Sequence, residues 1–201
     1  MTHPWNPALP DPVLPDTAPP DPARPEHLSF LLAHGADAAG HSGEGLLAHL
    51  RGTARLLIEW GAREALCRAG LFHSVYGTES YTGAILPPGL RSEVAALIGA
   101  EAEAIAWRFG AMSKGSLYEN LDGREAFSLR DRFGGPELPL STAELADLFN
   151  LTVANWLEQR PRMSPIYHFH RIEELSQMRP RLLPAARQAL EAAYGLAPLA
   201  V

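Results

Sequence analysis

Apolar residues recur at helical spacing through most of the chain after residue 25. Leu28, Leu31 and Leu32 follow Pro25, a favoured first helical residue, and Gly35 stops the run. The strongest pattern runs from about Glu44 to Trp60. It sets Leu46, Leu47, Leu50, Ala54, Leu57 and Ile58 on one side and ends at Gly61. A third helix is predicted over residues 62–74, with Ala65, Leu66, Ala69 and Phe72 as its apolar face. Two more are predicted over residues 91–98 and 100–112, divided at Gly99. Ser141 and Glu144 form a capping box that opens a long helix to about Gln159, and Pro161 ends it. A last helix is predicted over residues 181–194, stopped by Gly195.

Two stretches break this pattern. Half of the 18 prolines precede residue 26. Proline fixes φ and donates no hydrogen bond, so residues 1–24 form an arm outside the helical domain of residues 25–201. The arm reads either as a tail without fixed structure or as an extension that Trp5, Leu9, Val13 and Leu14 dock on the domain or on a second subunit, giving a homo-oligomer. Between Lys114 and Pro139 the helical period lapses, and Asp122-Gly123 signals a tight turn. The expectation there is a small irregular or hairpin excursion. The fold class is therefore all-α, without internal repeats or βαβ alternation.

Composition narrows the function classes. The 201 residues are 46% hydrophobic and 20% charged, ordinary for a chain that buries a core. A net charge of -6 argues against a nucleic-acid binder, because neutralising phosphates needs excess positive charge. Lys114 is the only lysine. The single Cys67 excludes an intramolecular disulfide framework and a Cys-rich metal site, and its apolar helical surroundings suit a buried structural thiol. No apolar run is long enough to span a membrane, and no basic-then-apolar leader opens the chain. A cytoplasmic protein without nucleic-acid or membrane partners is the expectation. Nucleotide-cradling glycine loops and a nucleophile elbow are absent, so no nucleotide cofactor is predicted.

Eight histidines remain to be explained. His49 lies on the apolar pattern of its helix, and His73 ends the next one, 24 residues on. Two antiparallel helices joined near Gly61 bring them together, so that their imidazoles can share a metal or a substrate. The stretch HLRGTARLLIEWGAREALCRAGLFHSVYGTE resembles the HD-domain superfamily, and "AGLFHS" resembles the "AALLHD" segment of that superfamily. The resemblance covers about residues 41–115 and, more loosely, 141–159, and points to a divergent HD-like branch.

That resemblance implies an HD-like helical bundle with His49 as the first metal ligand and His73 as the second. It also marks a departure. Ser74 stands where the bridging Asp belongs, and Asn155 stands where the last Asp ligand is expected, with Asp147 earlier on the same helix. Three outcomes follow: a divalent metal (Fe, Mn or Zn) held by His49, His73 and a replacement such as His41 or Glu79; a metal-free pocket using His73 as acid or base; or a non-catalytic binding or scaffold module. His41 reaches the centre only if the chain bends, which Gly43 and Gly45 allow. Glu79 is a candidate general base and Tyr76 a candidate oxyanion donor, giving a catalytic set of His73, Glu79 and Tyr76. Ser74, Asn155 and Arg91 are the candidate substrate contacts, Arg91 as a bidentate anion binder beside the helix arginines Arg51 and Arg55. Asn155 and Glu158 share one helix face at i and i+3. His168 and His170 suit a metal only on a strand.

The resulting expectation is an enzyme acting on a small polar or phosphorylated molecule by metal-dependent hydrolysis. An HD-type non-haem iron oxygenase and a non-catalytic binding protein are the alternatives.

Overall fold

In the computed structural model, which describes residues 23–41, 44–121 and 126–199, the chain enters the core through α1 (Pro25–Ala33), with Pro25 at its first turn. The two-residue strands β1 (Gly40–His41) and β2 (Glu44–Gly45) pair antiparallel and feed α2 (Leu46–Glu59). Three helices then follow: α3 (Glu64–Phe72), α4 (Arg91–Ile98) and α5 (Ala100–Ala111). A short helix, α6 (Lys114–Tyr118), precedes the hairpin β3 (Phe127–Leu129) and β4 (Leu138–Leu140). The long α7 (Thr142–Gln159), α8 (Ile172–Met178) and α9 (Pro184–Tyr194) complete the described fold. The described residues are thus mainly helical, as the hydrophobic period predicts.

Helix α2 is central. Its stripe of Leu46, Leu50, Ala54 and Leu57 is fully buried, and it packs on α3 and α7. Helix α3 in turn packs on α5, and α5 on α4. The α2–α3 turn carries a Schellman closure: Ala62 N–H donates to Leu57 O and Gly61 N–H to Ile58 O, with Gly61 at φ 72°. The two helices approach closely at Gly70, where a Cβ would stand 2.6 Å from Leu57 Cδ1. Arg63, at the start of α3, ties α5 and α7 together through Glu101 and Asp147. Both arms of the capping box predicted for α7 are present: Glu144 N–H donates to Ser141 Oγ, and Ser141 N–H donates to the Glu144 carboxylate.

The region from 114 to 139 differs from expectation. It opens as helix rather than loop, because Glu79 accepts both the Ser113 hydroxyl and the Lys114 N–H at the start of α6. The hairpin exists, but its connection is residues 130–137, whereas the Asp122-Gly123 turn lies outside the described residues. Asn120 stitches the two parts: its amide donates to the carbonyls of Ser116 and Ser128 and accepts from Ser128 N–H. The last helix starts at Pro184, since residues 179–181 form a separate 3-10 turn. His168 and His170 lie on a turn rather than a strand, and His168 donates to the Met163 carbonyl. The proline-rich arm falls almost wholly outside the described residues. No helix among the described residues is long and apolar enough to cross a membrane.

Candidate functional site

Three side chains meet between α2, the end of α3 and α7. His49 Nε2 lies 3.1 Å from His73 Nε2. Asn155 Oδ1 lies 3.1 Å from His49 Nε2 and 3.0 Å from His73 Nε2. The three atoms form a nearly equilateral triangle. Both imidazoles are fully buried on the apolar faces that carry them, and the His73 ring meets Phe109 of α5 edge-on at 5.2 Å.

The opposite edge of each group sets its chemistry. His73 Nδ1 donates to the Gly70 carbonyl at 2.7 Å, since a carbonyl only accepts. His49 Nδ1 donates to the Glu158 carboxylate. When Nδ1 carries the only ring proton, each Nε2 presents a lone pair to the triangle. Asn155 is oriented by Gln159. One Gln159 nitrogen lies 2.9 Å from both the backbone carbonyl and Oδ1 of Asn155. The backbone carbonyl demands a donor, so the Gln159 amide points its NH2 there, and the Asn155 atom it also meets must be oxygen. In that tautomer three acceptors face one another, an arrangement that a cation at its centre relieves, either a proton shared from one Nε2 or a metal ion.

The geometry fits a divalent metal. Two donors sharing an ion at about 2.0–2.2 Å, with an angle of about 90° between them, stand about 3 Å apart. The observed edges match that separation, and a tetrahedral angle would need a wider triangle. Among the described residues no group of three His, Cys, Asp or Glu side chains is placed to hold a metal; the third corner here is an amide.

Glu158 is the part of this site whose role sequence reading missed. Burial alone would raise its pKa, but hydrogen bonds from His49 and Arg162 hold its carboxyl below the usual carboxylate range. Arg162 donates to both of its oxygens at 2.6 Å. Gly52, one turn along α2 from His49, makes room for it: a Cβ there would stand 2.8 Å from Glu158 Cγ.

The other predicted residues are placed as follows. Ser74 is buried and lines a cavity of about 220 Å³ that also reaches Asn155 and Gln159. Glu79 is exposed and spends both oxygens on Ser113 and Lys114. Tyr76 and Arg91 belong to a separate cluster around buried Glu103. Arg91 donates to both Glu103 oxygens at 2.7 and 2.9 Å, Tyr76 donates to one at 3.2 Å, and the guanidinium lies over Trp107. Burial, and then the Glu103 charge, push the Tyr76 hydroxyl pKa well above its ordinary value, so it stays protonated. Arg51 and Arg55 are exposed, and Arg55 pairs with Glu59. The backbone of His41 lies in the hairpin that turns directly into α2, so the chain does bend there; its side chain is outside the described set. Burial pushes the Cys67 thiol up to about 11, leaving it a core residue.

Residues 30–114 match the family model of a domain of unknown function, DUF6817. The matched segment runs through α5 to Lys114 and includes His49, His73 and Ser74, and it stops short of Asn155 and Glu158. No curated protein and no solved structure matches the chain.

Proposed function

We propose that the protein is a divergent HD-like, metal-dependent hydrolase of a small polar or phosphorylated molecule. The observation that carries this reading is the triangle of His49 Nε2, His73 Nε2 and Asn155 Oδ1, with edges of 3.0–3.1 Å. The α2–turn–α3 pair with a histidine on each helix is the arrangement that the HD resemblance implies, and α7 supplies the third donor where that resemblance expects an Asp.

Each residue has a distinct task in this reading. His49, His73 and Asn155 would hold the ion. Glu158 and the Gly70 carbonyl fix the two imidazole tautomers, and Gln159 fixes the amide. Bound there, a divalent ion supplies Lewis acidity toward water and substrate. Because the three donors are neutral, little of the ion's charge is offset, which favours an anionic substrate. Ser74 lines the adjoining cavity, where a bridging carboxylate would otherwise sit.

A second reading, an iron-dependent oxygenase, draws on the near-equilateral triangle itself. Three protein donors on one face would leave room for substrate and dioxygen at a bound ion, the arrangement used by non-haem Fe(II). Metal quantification on the purified full chain, followed by assays for phosphate release from small phosphomonoesters and for dioxygen consumption, tests both. The expected result is one Mn, Fe or Zn ion per chain, lost in His49→Ala/His73→Ala, with metal-dependent hydrolysis. A wild-type protein that binds none of these ions overturns both readings. Dioxygen uptake without hydrolysis selects the second.

A further inference from the structure

The cavity beside the triangle carries a second chemical signature, distinct from the proposed ion site. Its described lining presents four hydroxyls, from Ser74, Thr78, Ser80 and Tyr81, together with Lys114. Among the described residues that line it, none is acidic. Lys114 is the only lysine of the chain.

Lys114 is half-buried, and its ammonium donates to a neutral hydroxyl, Ser80 Oγ at 2.6 Å. The neighbouring carboxylate, Glu79, directs its oxygens at the Ser113 hydroxyl and the Lys114 backbone N–H. Arg171, stacked over Tyr118 and paired with Glu174, is near enough for its charge to act on Lys114. Burial, and then the Arg171 charge, lower the Lys114 pKa, with Glu79 opposing. A cation taken partly out of water beside another cation is costly unless an anion completes its shell.

We infer that Lys114, with the hydroxyls of Thr78 and Ser80, forms an oxyanion subsite that holds a phosphoryl or carboxylate group of a small substrate. The inference rests on the hydrolase reading for its meaning, because it places the anionic group of the substrate in the cavity that Asn155 shares. It narrows the substrate class to small molecules carrying such a group. A cavity of about 220 Å³ has the room of about seven waters, enough for an oxyanion and a short carbon chain.

The test measures two bindings separately on the full chain. Inorganic phosphate and acetate are titrated into metal-free protein by ligand-observed NMR, and Mn(II) binding is read by electron paramagnetic resonance without added anion. Lys114→Gln is expected to weaken phosphate about tenfold or more, and Lys114→Arg by less than about threefold, since a charged donor is kept. Thr78→Val/Ser80→Ala, which leaves the lysine in place, is expected to weaken it by several-fold. Mn(II) affinity is expected to be unchanged in all three variants. Acetate binding with the same dependence identifies a general carboxylate and phosphate site; phosphate alone identifies a phosphoryl site. No saturable binding of either anion to wild type, or equal binding by wild type and Lys114→Gln, overturns the inference even where Mn(II) binds. Lys114-dependent phosphate binding in a protein that binds no Mn(II) keeps this subsite and removes the metal reading instead.

Discussion

Glu158 accepts the Nδ1 proton of His49 from 109 positions further along the chain. That contact turns a buried histidine into a donor with a fixed lone pair. It depends on α2 and α7 lying close together, and on Gly52 leaving the gap through which Glu158 passes.

Gly52→Ala therefore separates stability from metal affinity. Alanine in a helix interior is favoured over glycine by about 1 kcal/mol. The new Cβ forces Glu158 aside and breaks its bond to His49. Mn(II) affinity is expected to fall by about 10- to 100-fold, as in Glu158→Gln, while thermal stability changes little. Mn(II) titration and melting curves on both variants check this; unchanged affinity would remove Glu158 from the site.

The neutral corner at Asn155 sets the charge of the site. Asn155→Asp brings a carboxylate to the triangle. Opposite charges about 4 Å apart attract by about 4 kcal/mol at an effective dielectric of about 20. Mn(II) affinity is expected to rise by about tenfold or more. Ser74→Asp, in the adjoining cavity, is expected to act in the same direction and to reduce turnover of an anionic substrate through repulsion. Calorimetry and a substrate screen on the two variants decide, and a Ser74→Asp protein unchanged in both would exclude position 74 from the site.

Arg91 is expected to matter for folding rather than for binding. Its removal leaves the buried Glu103 carboxylate with only Tyr76. Because Arg91 is partly exposed, water reaches the gap, and Arg91→Ala is expected to cost about 2–3 kcal/mol. Adding Glu103→Gln recovers part of that loss. Urea denaturation of the single and double variants measures the coupling, and Mn(II) affinity is expected to stay at the wild-type value.

The capping box of α7 gives a pH signature. Hydrogen bonding from the Ser141 backbone N–H, then from its hydroxyl, with Arg108 nearby, outweighs the effect of burial and lowers the Glu144 pKa. A depressed folded pKa means stability that is full above the unfolded carboxyl value near about 4.3 and is lost as pH falls through the folded value. Ser141→Ala is expected to cost about 1 kcal/mol at neutral pH. The stability gap between wild type and Glu144→Gln is expected to shrink as pH is taken down to about 3. Denaturant unfolding at the two pH values provides the check.

Much of this protein is decided locally, and its sequence shows that part. The repeat of apolar side chains every three to four residues is a property of single segments. The spans of α1 to α5 follow from it, and the capping box at Ser141 and the stop at Gly195 follow from local cap residues, without reference to the rest of the chain. The meeting of His49 with His73 is nearly local too, because one tight turn at Gly61 folds the two helices side by side. Asn155 as the third corner, Glu158 behind His49, Lys114 over the cavity, and the capture of Tyr76 and Arg91 by Glu103 depend on where distant segments pack. Helical periodicity tells which face of α7 is buried, but not which residue of α2 it meets or at what rotation. The close approach of helices at Gly70 and the gap at Gly52 decide that, and they exist only once the helices have docked.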